Sequence, residues 1–298
     1  MDCQIEVRFY AAPPELEGCF SSFYSAAFKV PHGQRVNDLL QPEWANLRFF
    51  EHDRPAAGVM GHDMLHGARL TATGPSSLPV HFELGTTRMW GVGLFPLGWA
   101  KFCNMPARDV ANRVVDGEKH SAFANFSQLA GTLFAGEPDE QAELARIVAC
   151  FRSLNRDVPD EERIRAVHAA LVDHEVGCVT DLAEHSGLER RTIERLCHRY
   201  FGFSPKVLLR RQRFMRSLAQ FMLDNASNWS EAMDQHYHDQ AQFVREFRAF
   251  MGMSPGEYAA RKHPILGAFM KHRAKVWGAA AQTLDVPGRP STRNRDAA

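Results

Sequence analysis

Val179-Thr-Asp-Leu-Ala-Glu-His-Ser-Gly-Leu-Glu-Arg-Arg-Thr-Ile-Glu-Arg-Leu-Cys-His-Arg-Tyr200 is the stretch whose reading decides the fold of this 298-residue chain. Asp181, Leu182, Ala183 and Glu184 predict a short helix, His185 to Gly187 a tight turn, and Glu189 to Tyr200 a second helix. Two helices that cross closely need a small residue at the crossing, supplied by Ala183, and a turn residue at ease with positive φ, supplied by Gly187. Leu182, Leu188, Ile193 and Leu196 then form the apolar contact between them. With those four inward, the second helix turns Arg190, Arg191, Glu194, Arg195, His198 and Arg199 outward. Long donors on one exposed face suit a helix laid in the major groove of DNA, where they reach base edges and phosphates.

The plan repeats downstream. A helix with an arginine-rich start ends over Leu218 to Asp224, and Trp229 to Gln235 followed by Asp239 to Met251 predicts another short helix, turn and long helix. Here Phe243, Phe247 and Phe250 take the core while Gln240, Gln242 and Arg245 face outward as candidate base readers. Both long helices close with the same punctuation, Phe201-Gly-Phe-Ser-Pro205 and Met251-Gly-Met-Ser-Pro255, in which glycine caps one helix and Ser-Pro starts the next.

Charge placement supports the same reading. Lysine plus arginine equals aspartate plus glutamate at 35 each, so net charge alone points to no partner. Residues 1–159 hold 14 basic and 18 acidic side chains, whereas residues 190–216 hold nine basic ones (Arg190, Arg191, Arg195, Arg199, Lys206, Arg210, Arg211, Arg213, Arg216) against Glu194 alone. An excess of eight positive charges in 27 residues is a polyanion footprint inside a neutral chain, although a charge run by itself fits a solvated helix face equally well.

Upstream, prolines and glycines break the chain from Ile5 to about Trp90 into short aromatic and β-branched runs, such as Cys19 to Tyr24, Asn46 to Phe50 and Val80 to Leu84, which predict strands. Helical spacing follows over Leu97–Phe102, Ala107–Val115, Ala122–Phe134 and Glu137–Arg152, and Arg156–Asp160 is the expected boundary. The fold class is therefore α+β. A β-rich N-terminal domain with following helices (1–155) precedes an all-α domain of two helix-turn-helix units joined by a linker helix (160–262), and then a terminal helix and disordered tail (263–298). The tail is expected over Pro287 to Ala298.

The second unit, Tyr237-His-Asp-Gln-Ala-Gln-Phe-Val-Arg-Glu-Phe-Arg-Ala-Phe-Met-Gly-Met-Ser-Pro-Gly-Glu-Tyr258, resembles the DNA-binding domain of AraC/XylS transcription regulators, and the resemblance covers about residues 160–262. It implies base contacts from Arg191 and Arg195 in the first unit and from Gln240, Gln242 and Arg245 in the second. It also implies phosphate contacts from Arg190, Arg199, Lys206, Arg210 and Arg211, with Pro205–Asp224 as the linker helix. Ala183, Gly187, Ile193, Leu196, Phe243 and Phe247 are the residues that hold the two units. Its partners would be double-stranded promoter or operator DNA and, as open candidates, RNA polymerase, a small-molecule effector of unknown chemistry and a second copy of the chain. Two departures stand out: His236 precedes Tyr237 where the family usually has glycine, and Cys197 stands where it often has phenylalanine. The first implies either an altered docking angle for the second unit or mostly phosphate contacts from it. The stretch from Gly91 to Phe102, continuing through Met105 to Asp116, resembles the N-terminal domain of a poorly characterised subgroup whose ligand does not carry over.

Other classes are disfavoured. No apolar run approaches eighteen residues, and Asp2, Glu6 and Arg8 interrupt what would be a leader, so a cytoplasmic location without membrane contact is expected. Six scattered cysteines suggest neither a disulfide framework nor a zinc clasp. His52, His62, His66 and His81 raise a metal hypothesis, but Gly58, Gly61 and Gly67 argue against the helix it needs. Catalytic motifs and cofactor-binding loops are absent from the sequence, so neither an enzyme nor a cofactor is expected. An alkylation-response repair enzyme shares this DNA-binding architecture, yet residues 1–100 hold only Cys3 and Cys19. A third reading is a DNA-binding protein without an effector, whose first half only dimerises. The aromatics Phe23, Tyr24, Trp44, Phe49, Phe50, Phe82 and Trp90 could enclose an apolar pocket or simply form core.

Overall fold

A computed structural model describes residues 3–224, 229–277 and 281–285. The tail expected over Pro287 to Ala298 lies outside the described residues. The interrupted N-terminal stretch folds as two antiparallel sheets from β1 (Gln4–Tyr10), β2 (Phe20–Lys29), β3 (Val36–Leu40), β4 (Ala45–Phe50), β5 (Ala56–Val59), β6 (Leu65–His66), β7 (Leu70–Thr73), β8 (Val80–Leu84), β9 (Thr87–Leu94) and β10 (Val114–Asp116). One sheet runs β1-β2-β9-β4-β7-β10 and the other β3-β8-β5-β6.

The central strands of the larger sheet bury both faces, which the two-residue period makes explicit on β4. Ala45, Leu47 and Phe49 enter a core shared with helices, while Phe50 enters the core against the second sheet and Asn46 and Arg48 share that side. A continuous apolar run is what such a strand requires. Gly91 of β9 is a close approach: a Cβ there would sit 1.9 Å from the Tyr24 ring.

Helices cover the other face: α1 (Pro96–Phe102), α2 (Ser127–Thr132), α3 (Glu140–Leu154) and α4 (Glu161–Val172). The helix expected over Ala107–Val115 is instead a single 3-10 turn, Ala107–Asp109, followed by β10. Val114, Val115 and Asp116 pair with Thr73, Ala72 and Thr71, so sheet pairing overrides a helical spacing too short to hold itself. Over Ala122–Phe134 the chain makes a 3-10 turn, Ala124–Phe126, before α2.

The remaining helices are α5 (Val179–Ser186), α6 (Arg190–Leu196), α7 (Pro205–Asp224), α8 (Trp229–Ala232), α9 (Gln240–Met251), α10 (Pro255–Ala259) and α11 (Pro264–Trp277). The α+β class and the two helix-turn-helix units are borne out. The hydrophobic core, however, does not pause at Arg156–Asp160. Leu47, Trp90, Phe151, Ile164, Leu182, Leu196 and Leu208 belong to one buried cluster, so the first helix-turn-helix unit shares the sheet's core. The second unit has its own, built on Phe214, Tyr237, Phe243, Phe247 and Tyr258. Helix α11 then returns to pack on β1 and β3.

Gly61 and Gly67 both have positive φ, which leaves His62 in a turn and His66 on β6 rather than on one helix. Among the described residues no group of three His, Cys, Asp or Glu could hold a metal ion. No described helix is long and apolar enough to cross a membrane.

Candidate nucleic-acid interface

The first unit forms as its residues dictate. Gly187 takes φ 65° at the end of α5, and Gly187 and Leu188 donate backbone hydrogen bonds to the carbonyls of Glu184 and Ala183. That geometry satisfies carbonyls left open by the helix end, at a backbone angle L-residues avoid. Leu182, Ile193 and Leu196 are fully buried, and Leu188 and Ala183 pack against the same core. Helix α6 is shorter than the expected Glu189–Tyr200, because Cys197–Phe201 widens into a π turn that ends at Gly202, φ 87°. Cys197 is buried there, and burial pushes its thiol well above the usual range. The residue that departs from the family pattern is thus packing, not a reactive thiol.

Arg190, Arg191, Glu194, Arg195 and Arg199 are exposed, as expected. Two are already engaged within the protein. Arg190 donates to the Thr180 hydroxyl at 2.6 Å, tying α6 to α5. Arg195 donates to both carboxylate oxygens of Asp160 at 3.1 and 3.3 Å, and Asp160 also accepts from Arg163 and Tyr200. The Arg195 bond, with those from Arg163 and Tyr200, holds the Asp160 carboxyl below its ordinary value despite partial burial. Sequence reasoning missed Asp160, since a pairing across 35 residues leaves no local signature. A groove runs beside this face, with Arg191, Arg195 and Arg199 on one wall and Met105, Pro106 and Arg108 on the other.

In the second unit α8 is one turn long rather than extending to Gln235. Asp239 caps α9 by accepting from the Gln242 amide at 2.6 Å, and the Gln242 side chain accepts from the His238 amide at 3.0 Å. Gln240 and Arg245 are exposed. Phe243, Phe247 and Phe250 are buried around Trp229, Tyr237 and Phe214. His236 has a structural role: its ring packs where a Cβ on Gly177 would lie 2.5 Å away, and its Nδ1 meets Asp234 at 3.0 Å. The residue that replaces the expected glycine therefore braces the second unit against the first.

The basic run divides by helix face. Lys206 and Arg210 join Gln242 and Arg245 in a groove between the two units, so residues assigned to different helices lie together. Arg210 is held at one end by Glu246, 2.8 Å away. Arg213 and Arg216 turn inward, Arg213 onto Glu246 and the Tyr237 ring and Arg216 onto Asp234.

Arg211 contradicts the phosphate assignment. It is fully buried, its guanidinium stacked 4.0 Å over Trp44 and donating to the Ser76 and Glu43 carbonyls at 3.0 and 3.4 Å. Its Nε and Nη2 meet no partner among the described residues. Burial pushes its pKa down to about 9, so it stays charged at neutral pH. The reason is helical periodicity: Leu208, Arg211, Met215 and Leu218 share the buried stripe of α7. Beside it His168 is packed among Trp44, Phe95 and Phe201, and burial, helped by the Arg211 charge, depresses its pKa to about 3.

Comparison with known proteins matches residues 182–261 to a family described as a helix-turn-helix domain. YkgA of Escherichia coli strain K12, whose name places it among HTH-type transcriptional regulators, is 31% identical over 85 residues, 28% of this chain and 36% of that protein. The HTH-type transcriptional activator AarP of Providencia stuartii is 26% identical over 78 residues, 26% of this chain and 58% of that protein. The chain thus spans between about a third and somewhat over half of these relatives' length. Among solved structures, ToxT of Vibrio cholerae O395 aligns over 86% of this chain and 96% of its own at 10% identity, with a TM-score of 0.42.

Proposed function

We propose that the chain is a sequence-specific DNA-binding transcription regulator of the AraC type whose two units read adjacent stretches of duplex, a reading supported by the match of residues 182–261 to a helix-turn-helix domain. The observation that carries this reading is the pair of buried-core helices, α6 and α9, each presenting an exposed face of long donors with cationic α7 side chains between them. Arg191 and Arg195 contact bases from the first unit, and Gln240, Gln242 and Arg245 from the second. Arg190, Arg199, Lys206 and Arg210 contact phosphates, and Arg211 is withdrawn from that set.

Arg195 must leave Asp160 to reach a base, so binding exchanges an internal ion pair for a bidentate contact with guanine. The protein acts by binding rather than catalysis, in the cytoplasm. It responds to a small molecule through the cavity between its two sheets, which is lined by residues of both halves of the chain. RNA polymerase and a second copy of the chain complete the proposed partners, with no surface assigned to either.

The test compares variants on preferred and random duplexes. Arg195→Ala is expected to lower affinity for the preferred sequence by about ten- to a hundredfold and for random DNA far less, as loss of a bidentate base contact does. Equal losses on both would remove Arg195 from the base readers.

A further inference from the structure

The cavity between the sheets has a wall contributed from beyond the DNA-binding domain. Helix α11 lines one side, placing Ile265, Leu266, Phe269 and Met270 among the cavity's lining residues with those of the strands. The helix is seated by Asp38 of β3, whose carboxylate accepts from the Ile265 and Leu266 amides at 2.9 Å each and meets His263 at 3.2 Å. Phe269 stands edge-on to Tyr24 with centroids 5.1 Å apart, and Gln41 donates to the Met270 sulfur. Beyond α11 the chain binds the linker helix, since Gln212 of α7 donates to the Thr283 carbonyl at 2.6 Å. The cavity's wall is therefore continuous with the helix that joins the two DNA-binding units.

Its chemistry is selective. The cavity is about 100 Å³ and partly open to solvent, which limits a ligand to about one ring, since a closed cavity of about 150 Å³ holds benzene. Most of the lining is apolar. The two lining arginines are both neutralised: Arg48 holds both oxygens of Glu43 at 2.9 Å and also bonds Tyr24 and Thr73, while Arg273 pairs with Asp285. A carboxylate entering here would bring a charge for which the described lining residues offer no free cation, and burying an unpaired charge is strongly unfavourable. The acceptor that matters here is on Asn46. Asn46 donates through its amide nitrogen to Glu43 at 3.3 Å, while its Oδ1, buried in the wall, meets no hydrogen-bond partner among the described residues. Flipping the amide would set that oxygen against the Glu43 carboxylate, so the acceptor stays directed away from it.

We propose that this cavity binds an uncharged, ring-sized organic molecule bearing an O–H or N–H donor, which bonds Asn46 Oδ1 and is flanked by α11. The proposal rests on the effector reading above and names the ligand's chemistry. Because α11 and residues 281–285 tie the cavity to α7, occupancy and DNA affinity are linked, and each must shift the other by the same factor.

The test uses the full-length protein and three probes: phenol, benzene and benzoate. Phenol is expected to raise the melting temperature and to bind about tenfold tighter than benzene, with benzoate giving no shift. In Asn46→Leu, phenol and benzene should become equal, which places the binding in this cavity without relying on DNA. Benzoate binding at or above phenol would overturn the proposed ligand class, and no shift from phenol or benzene at millimolar concentration would overturn the site. DNA selection with the same preparation, without probe, keeps the two readings apart: intact DNA recognition with no probe binding defeats this inference alone.

Discussion

Arg211 shows how one side chain can be misassigned by composition and correctly assigned by periodicity. Counting charges places it in a polyanion footprint, whereas its spacing to Leu208, Met215 and Leu218 places it on the buried stripe of α7. A buried cation with two nitrogens that meet no partner among the described residues contributes little net stability, because desolvation offsets its stacking on Trp44 and its two carbonyl contacts. Arg211→Met is accordingly expected to change folding stability by less than about 1 kcal/mol, or to raise it, in denaturant titration. The salt dependence of DNA binding should stay unchanged in that variant, while Lys206→Ala should reduce the salt slope by about one. A reduced slope for Arg211→Met would return Arg211 to the phosphate contacts. Asp160, the carboxylate that holds Arg195, was not legible at all, and neither were Asn46 and Arg48 as cavity residues. Each acquires its role from a partner brought near by the tertiary fold.

At the scale of elements, strong local signals survived and short ones did not. The Gly187 turn, both Gly-x-Ser-Pro closures and the apolar faces of α6 and α9 carry their own caps and periodicity, so they were readable in isolation. The segment Ala107–Val115 has spacing but no cap, and its last two residues pair with β7. Helix α11 was foreseen as a terminal helix, but its seat on Asp38 and its place beside the cavity depend on contacts more than 200 positions apart. The second unit owes its start to Asp239, whose carboxylate accepts from the Gln242 amide. Asp239→Ala should cost about 1 kcal/mol of folding stability, as loss of an N-cap does. Because that unit has its own core, hydrogen exchange should show the loss concentrated in α9 rather than in α5 and α6. Uniform loss across both units would contradict separate cores.

Across the whole molecule, the first helix-turn-helix unit is fused to the sheet domain while the second is braced through His236 and tied by α7 and α11. Such an arrangement fixes α6 to the sheet half and leaves α9 on a separate core, connected to the cavity through α7 and α11. Both units are expected to read sequence, despite His236 standing where the family usually has glycine. The direct measurement is selection of bound duplexes from random DNA by the full-length protein at two salt concentrations. The expected result is a motif of two fixed blocks about one helical turn apart, recovered at both salts. A single block would confine base reading to the first unit, and no enriched sequence with steep salt dependence would contradict specific recognition altogether.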